Sequence, residues 1–413
     1  MLNPFFFIIL IALLVEYALD IAASLLNLKA LRYELPLELG GLYPPDEYRR
    51  SQEYTRTNIR FHLLIVTLGL VVLLVFWFSG GFNFLDVVVR SWGFSPIVNG
   101  VFYIGMLLLG YSLLTLSFGI YEIFVIEQRF GFNRTSRRTF ILDRLKGLGL
   151  VILLGVPLLA AILALFQYAG NFAWLYGWAT VTVVSLVLQF IAPTLIMPLF
   201  NKFTPLEEGE LREAILGYAH SVNFPVKNVF VIDGSRRSSK SNAFFTGFGA
   251  NKRIALFDTL IKNHTVAEMV AVLAHEIGHY KKKHVLKGTA IGILHTGLLF
   301  FLLSVFLRSP GLYQAFGMQE PSIYSGLLFF GLLYTPLEML ISLGTGALSR
   351  MHEREADRFA AETIPDRERM IDALKKLSTG NLSNLIPHPF YVFLNYSHPP
   401  LLERIKEIKK SES

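Results

Sequence analysis

Seven long runs of apolar residues constrain the fold of this chain more than any other feature of its sequence. Several runs reach the roughly 20 residues that an α-helix needs to cross a bilayer. Only 17% of the 413 residues are charged, whereas about a quarter are charged in a typical soluble domain. We therefore predict a mainly α-helical integral membrane protein. The expected spans are at about residues 4–27, 60–79, 97–126, 148–167, 172–199, 285–307 and 323–347.

Lysine and arginine residues are distributed unevenly between the spans, and this asymmetry predicts the orientation of the chain. The connections 28–60 and 127–147 carry six basic residues each, whereas 80–96 and 308–322 carry one each. Seven spans with the N-terminus outside place every basic segment in the cytoplasm. The predicted parts are spans one to five (1–199), a cytoplasmic polar segment (200–284), spans six and seven (285–347) and a cytoplasmic tail (348–413).

Composition excludes some kinds of site and partner. The chain contains no cysteine, so a metal site could use only His, Asp and Glu side chains. The net charge of +7 would suit a nucleic acid, but the basic residues follow the predicted topology, and we expect no nucleic-acid partner. The N-terminal sequence MLNPFFFIILIALLV lacks a basic n-region, which is typical of a first span and not of a cleaved signal peptide.

Four acidic residues lie within the apolar runs or at their edges. Such residues usually face the interior of a helical bundle or water, because a carboxylate in lipid is costly. Together they predict an internal polar chamber between the helices. The four residues are Glu16, Asp20, Glu122 and Glu338.

The polar segment 200–284 combines helical and strand-like patterns. The sequence LEEGELREAILGYAHSV, from Leu206, is typical of an amphipathic helix. Three short runs that favour β-strands follow it, separated by turn-forming residues. This mixture predicts a small α+β domain on the cytoplasmic side. The three runs are NVFVID (228–233), NAFFTGF (242–248) and KRIALFD (252–258).

The sequence HEIGH at residues 275–279 predicts a metal site. It lies inside a predicted helix that begins at Thr265 with a capping-box pattern. His275 and His279 are four residues apart, so on a helix they share one face and can both bind one Zn²⁺. Glu276 can then act as a general base. The alternative is a chance match on an amphipathic helix.

A third metal ligand is expected in the sequence SRMHEREADRFAAE, residues 349–362. Glu353 and Glu355 point about 200° apart on a helix, so only one of them can face the metal. Glu353 and Asp357 share a face, which suits a ligand carboxylate and a second carboxylate that orients a ligand histidine. His352 is a further candidate by residue type. The alternative is an ordinary charged surface helix leaving the bilayer.

Several motifs in the same order resemble those of the type I CAAX prenyl protease family, whose members are polytopic membrane zinc endopeptidases. The similarity extends from about residue 120 to the end of the chain. The matching segments are HEIGH, the ERE-AD run, NYSHPPLLERI (395–405), SNAFFTGFGANKRIALFDTLI (241–261), IAPTLIMPLFNKFTPLEEGEL (191–211) and EQRFGFNRTS (127–136).

This resemblance implies a ring of seven helices around a large chamber, capped by a catalytic domain with one Zn²⁺ per chain. It also implies a role for each of seven residues. These roles are zinc ligation for His275, His279 and Glu353, the catalytic base for Glu276, an acidic residue behind the site for Asp357, and positions around the substrate for Asn242 and His398.

Some of these positions have simpler explanations when the residues are considered without the resemblance. Asn242, at the start of a predicted strand, is also typical of a turn. His398 precedes Pro399 and Pro400 and could be a local helix cap. His284 and His352, near the motifs, are expected to be surface residues and not ligands.

The resemblance implies an endopeptidase that removes the last three residues of a C-terminal CaaX peptide whose cysteine is prenylated. Its expected partners are the lipid bilayer and membrane-associated peptide or protein substrates. The active site would face the cytoplasm, at the inner membrane of a bacterium or the endoplasmic reticulum of a eukaryote. The run 242–248 could pair with an extended substrate by β-augmentation.

Three alternatives remain open from the sequence. The first is a general quality-control metalloprotease for membrane proteins. The second is a transporter or channel that uses the intramembrane acids and carries a regulatory zinc. The third is an inactive scaffold, although every residue implied by the resemblance is present.

Overall fold

The computed structural model describes residues 2–32, 34, 44–226, 228–246 and 253–410. Within these residues, seven helical segments are long and apolar enough to cross a membrane, which confirms the predicted number of spans. These segments are Pro4–Ala30, Pro45–Phe78, Pro96–Glu127, Arg137–Tyr168, Gly170–Phe200, His284–Phe306 and Ile323–Thr363.

The helices of these segments and of the polar parts between them are numbered α1 to α17 in chain order. The first eight helices are α1 (Pro4–Ala30), α2 (Pro45–Phe78), α3 (Gly81–Ser91), α4 (Pro96–Tyr121), α5 (Arg137–Leu150), α6 (Val156–Tyr168), α7 (Ala173–Ile191) and α8 (Met197–Phe200). The later helices are α9 (Glu210–Ser221), α10 (Asp258–Asn263), α11 (Val266–Lys281), α12 (His284–Phe306), α13 (Pro310–Ala315), α14 (Ile323–Thr363), α15 (Glu368–Gly380), α16 (Pro389–Asn395) and α17 (Leu401–Lys410).

Helix α14 joins the membrane part to the extramembrane domain. Ser322 caps its first turn by accepting a hydrogen bond from the Ser325 N–H at 3.2 Å. The sequence predicts a span that ends at residue 347, but the helix continues for four more turns to Thr363. A helix ends at a stop signal and not at a change in polarity, and the charged run contains neither Gly nor Pro. One continuous helix therefore extends from the membrane-spanning part into the domain, and its last turns carry Glu353 and Asp357.

A four-stranded sheet supports the extramembrane domain, with the order β1-β2-β4-β3. The outer pairs are antiparallel, whereas β2 and β4 are parallel. The three predicted β-runs are confirmed where the structure describes them, and residues 247, 248 and 252 lie outside the described residues. The sequence did not predict β1, because three residues are too few to show an alternating pattern. The strands are β1 (Phe203–Pro205), β2 (Asn228–Ile232), β3 (Ala243–Thr246) and β4 (Arg253–Phe257).

Helix α11 lies in the core of this α+β domain. Its Leu273, Ala274 and Ile277 are buried and belong to the same apolar cluster as Leu256 of β4 and Ile215 of α9. A fully buried leucine or isoleucine side chain contributes roughly 1.5–3 kcal/mol. The apolar face of α11 is therefore held by packing, which fixes the direction of the face that carries the two histidines.

Aromatic packing closes the end of the bundle that is distant from this domain. The rings of Phe316 and Phe329 stack with centroids 3.8 Å apart, and Trp77 stacks on Phe316 at 4.5 Å. The Trp77 Nε1–H also donates a hydrogen bond of 3.0 Å to the Ala315 carbonyl. Aromatic rings with a satisfied polar tip combine large buried area with fixed geometry. The short connections at this end are thereby tied to the spans.

A cavity of about 910 Å³ lies between α1, α2, α4 and α14. Glu16, Asp20 and Glu338 line it together with many apolar side chains, so these three predicted acids do face an internal chamber. Glu122 is exposed at the end of α4 and does not line this cavity, so its place at an internal chamber stays a prediction.

Candidate metal and catalytic centre

A capping box fixes the start of the helix that carries HEIGH, as predicted. The Thr265 hydroxyl accepts from the Glu268 N–H at 3.3 Å, and the Glu268 carboxylate accepts from the Thr265 N–H at 2.8 Å. Lys376 of α15 donates to the same carboxylate at 2.8 Å. The buried Glu268 thus ties the first turn of α11 to a neighbouring helix, and HEIGH lies in the last two turns.

Three side chains converge beside α11. The Nε2 atoms of His275 and His279 are 3.2 Å apart, and each lies 3.3 Å from an oxygen of Glu353. Ligand atoms at 2.0–2.1 Å from a tetrahedral Zn²⁺ are about 3.3 Å from one another. Within the described residues, the buried Glu353 Oε2 lies 3.3 Å from His275 Nε2 but accepts no hydrogen bond of good geometry. A buried carboxylate oxygen without a well-formed hydrogen bond is costly, and a cation at this point would satisfy it, so the residues fit a metal ion.

The first histidine of the cluster is held by a carboxylate behind it. Asp357 Oδ1 lies 2.8 Å from His275 Nδ1. Burial lowers the pKa of His275, but its close contacts with the Asp357 and Glu353 carboxylates outweigh burial and raise the pKa to about 9. A metal binds the neutral imidazole and so replaces the proton at Nε2. The structure therefore places Asp357 where the sequence predicted an orienting carboxylate.

Arg404 of α17 completes this arrangement, and sequence reasoning missed it. Its Nε and Nη2 donate to the two oxygens of Asp357 at 2.7 and 2.6 Å. The side chain is only 14% exposed and that of Asp357 only 2%. A buried carboxylate needs a compensating cation, and Arg404 lies within the quoted motif NYSHPPLLERI. The need of a buried Asp357 carboxylate for a cation was the signal that could have identified Arg404 from the sequence.

Glu276 lies next to the cluster in chain and in space. Burial is the main cause that raises the pKa of Glu276, and the neighbouring His275 and His279 oppose it. A carboxyl group with a raised pKa exchanges protons more readily near neutral pH than an exposed glutamate. The arrangement is therefore suited to moving a proton beside a metal.

His398 is brought to the cluster, whereas the contacts of Asn242 in the described structure are with Ala243 and with Phe257, whose N–H donates to the Asn242 carbonyl at 3.2 Å. His398 Nε2 lies 3.3 Å from Glu353 Oε1, and Ser397 Oγ is 2.8 Å from its Nδ1. Asn242 precedes β3, and its side-chain oxygen accepts from the Ala243 N–H at 2.8 Å. The predicted places of both residues beside a substrate stay predictions.

The expectation that His284 and His352 are surface residues is wrong. They are 5% and 8% exposed, and their rings stack with centroids 4.0 Å apart. The reason is tertiary: the chain turns sharply between α11 and α12, and α14 packs across the turn.

The fourth residue of HEIGH, Gly278, lies where helix α14 passes too close for a larger side chain. A Cβ atom there would lie 3.0 Å from both Cα and O of Ala356, and 3.3 Å from Phe359 Cβ. Because α11 and α14 carry the converging groups, we expect Gly278→Ala to push them apart. The predicted loss is about 1–3 kcal/mol of stability together with a weaker metal site, measured by thermal unfolding and metal content.

Gly217→Ala on α9 is the matched control for this substitution. It has no atom within 4 Å of the added Cβ, so only helix propensity acts, and stability should rise by about 0.5–1 kcal/mol. A Gly278→Ala protein as stable as the Gly217→Ala protein would show that the helices tolerate the methyl group.

Comparison with known proteins shows what this chain resembles. The family model described as the CAAX prenyl protease N-terminal region, five membrane helices, matches residues 24–202, and that of peptidase family M48 matches residues 205–412. The CAAX prenyl protease 1 homolog of Arabidopsis thaliana is 36% identical over 98% of this chain and 97% of its own. CAAX prenyl protease 1 of Saccharomyces cerevisiae is 35% identical, over 90% and 88% of the two chains.

A solved structure agrees with these sequence matches. The crystal structure of S. mikatae Ste24p superimposes with a TM-score of 0.91 and 33% sequence identity, over 98% of this chain and 99% of that chain. The resemblance found in the sequence motifs is confirmed, and so is the multi-pass membrane architecture with a metallopeptidase domain. The chain belongs to peptidase family M48 and is a membrane metalloendopeptidase of the CAAX prenyl protease type.

Proposed function

We propose that the protein binds one Zn²⁺ per chain through His275, His279 and Glu353 and removes the C-terminal tripeptide from prenylated CaaX substrates. The observation that carries this proposal is the convergence of the three ligand groups, whose nitrogen and oxygen atoms lie 3.2–3.3 Å apart, with Glu276 beside them. Two histidines and one carboxylate with an open fourth position are typical of catalytic zinc.

Each residue around the metal has its own role in peptide hydrolysis. Zn²⁺, when bound, supplies Lewis acidity to the site. Glu276 takes a proton from the attacking water and delivers it to the leaving amine. His398 donates a hydrogen bond to the oxyanion that develops on the scissile carbonyl. Asp357 and Arg404 keep His275 in the orientation and tautomer that present Nε2 to the metal.

The membrane cavity supports a substrate that carries a lipid. Its lining includes apolar side chains such as Leu13, Leu73 and Leu114 beside the polar ones. Asn395 of α16 lines both this cavity and a pocket of about 390 Å³ that His398 and Arg404 also line. A prenyl chain in the cavity and a peptide at the zinc could therefore belong to one bound substrate.

The sheet supports a place for the peptide itself. Within the described residues, β3 is the terminal strand of the sheet, and no other described strand pairs with its outer edge. An extended substrate could pair there, and Asn242 directly precedes β3. We place the site on the cytoplasmic side, because Lys and Arg are concentrated in the connections next to the domain. The membrane would be the endoplasmic reticulum in a eukaryote or the inner membrane in a bacterium.

The test is cleavage of a farnesylated CaaX peptide by the purified protein in detergent. We expect mass spectrometry to show loss of the aaX tripeptide and a higher kcat/KM than for the same peptide without farnesyl. Chelation should abolish cleavage, and added Zn²⁺ should restore it. Equal cleavage of both peptides and of an unfolded membrane protein would favour the quality-control alternative.

A further inference from the structure

We propose that His284 and Glu355 form a relay that positions the second metal ligand, His279. This inference rests on the proposed zinc site and adds two residues to it. His284 Nδ1 lies 3.0 Å from His279 Nδ1, and His284 Nε2 lies 2.8 Å from Glu355 Oε2. Neither residue is among the three proposed ligands, and neither is the proposed base.

The two histidines that face the metal differ in the group that contacts their Nδ1 atoms. His275 contacts a carboxylate directly, through Asp357 Oδ1 at 2.8 Å. The corresponding contact of His279 is with the imidazole of His284, and the carboxylate of Glu355 contacts the other nitrogen of His284. A metal-binding histidine almost always donates its second N–H to an acceptor that fixes its ring. The pair His284–Glu355 supplies that acceptor for His279.

The directions of the hydrogen bonds follow from the metal site. His279 Nε2 faces Glu353 at 3.3 Å and must be free of a proton to bind a metal. Its Nδ1 therefore carries the hydrogen and donates it to His284 Nδ1. His284 then carries its own hydrogen on Nε2 and donates it to the Glu355 carboxylate. One tautomer of each ring satisfies every contact, so the relay selects the metal-binding form of His279.

Local backbone geometry brings His284 back towards His279. α11 ends at Lys281, and α12 begins at His284. Lys283 between them has φ of 58°, in the left-handed region that non-glycine residues rarely adopt. Only two residues, Lys282 and Lys283, separate the two helices. A strained conformation persists only where the surroundings hold it, and here it places the His284 ring against the ligand.

Helix α14 supplies the other half of the relay. Glu355 is two residues after Glu353, so the two side chains leave the helix in different directions. One reaches the metal cluster, and the other reaches His284. His352 stacks on the His284 ring at 4.0 Å with an interplanar angle of 12°. This stacking holds the plane of the His284 ring and leaves both nitrogen atoms of His284 for the contacts with His279 and Glu355.

The test measures zinc affinity by competition with a chromophoric chelator in detergent. We expect His284→Phe to raise the Kd for Zn²⁺ by about 10–100-fold, because phenylalanine keeps the ring stacking but accepts no hydrogen bond. His284→Asn should recover part of this loss, since its amide oxygen can take the place of Nδ1. Glu355→Ala should give a smaller increase. Because its side chain is 36% exposed, this change should not prevent folding.

The controls separate the relay from packing and from general charge. His352→Phe keeps the stacked pair and should leave the Kd unchanged, as should Glu362→Ala at an exposed carboxylate of the same helix. The double variant His284→Phe/Glu355→Ala should bind zinc no more weakly than His284→Phe, because Glu355 acts through His284. Thermal unfolding of the metal-free proteins reports on folding separately.

Two results would overturn the relay. One is an unchanged Kd in both His284→Phe and Glu355→Ala. The other is a loss in His352→Phe as large as that in His284→Phe, which would assign the effect to ring packing. A wild-type protein that binds no Zn²⁺ would instead overturn the proposed metal site, and the relay with it.

Discussion

Glu276→Gln is expected to lower kcat/KM for the farnesylated CaaX peptide by about 10²–10⁴-fold, the usual contribution of a general base. Glutamine has nearly the same size and remains beside the His275–His279–Glu353 cluster. It cannot accept the proton of the attacking water, and it has none to return to the leaving amine. The measurement is single-substrate kinetics with detection of the released tripeptide.

Zinc binding is the control for this substitution. Because Glu276 is not one of the three converging groups, the variant should bind Zn²⁺ with the same stoichiometry as the wild type. Glu362→Gln, at an exposed site on α14, should keep full activity. Peptidase activity that survives in the Glu276→Gln protein would contradict the assigned base. Ion flux that survives while no cleavage is found in either protein would support the transporter alternative.

Arg404→Met is expected to destabilise the domain by about 3–5 kcal/mol, which is typical when one partner of a buried ion pair is removed. The Asp357 side chain is 2% exposed and receives two hydrogen bonds from this arginine. Without Arg404, the carboxylate is left buried with His275 Nδ1, at 2.8 Å, as its remaining described hydrogen-bond partner. We expect a lower Tm and a weaker zinc site in thermal unfolding and metal-competition measurements.

Arg354→Met is the matched control for this prediction. Arg354 also joins α14 to α17, through Glu407 at 3.1 Å and Glu403 at 3.7 Å. Its side chain is 44% exposed, and such surface pairs contribute about 0–1 kcal/mol. Adding Asp357→Asn to Arg404→Met should restore part of the stability by removing the buried charge. Equal Tm values for Arg354→Met and Arg404→Met would refute the argument from burial.

The fold could be predicted from local patterns wherever one property of the chain dominates. Long apolar runs identify membrane spans because bilayer thickness sets helix length. The same reasoning fails at the ends of the spans. The sequence placed the end of the last one at residue 347, yet α14 continues to Thr363, since polarity marks the edge of the membrane and not the end of a helix.

The candidate site could be predicted where helix geometry alone relates two residues. His275 and His279 share a face because they are four residues apart, and Glu353 and Asp357 do so for the same reason. The structure brings all four together. Arg404, by contrast, belongs to another helix, and His284 reaches His279 through a turn whose left-handed Lys283 no spacing rule predicts.

The sequence by itself determined the number of spans, the helix that carries HEIGH and the shared helix faces of His275 with His279 and of Glu353 with Asp357, because hydrophobic length and helical periodicity act within a short stretch of chain. Only the tertiary structure decided what supports those side chains: Arg404 behind Asp357, His284 and Glu355 behind His279, and the close approach of two helices at Gly278. These contacts join segments distant in sequence, or residues across a sharp turn. Their geometry depends on how whole helices pack, which no local pattern records.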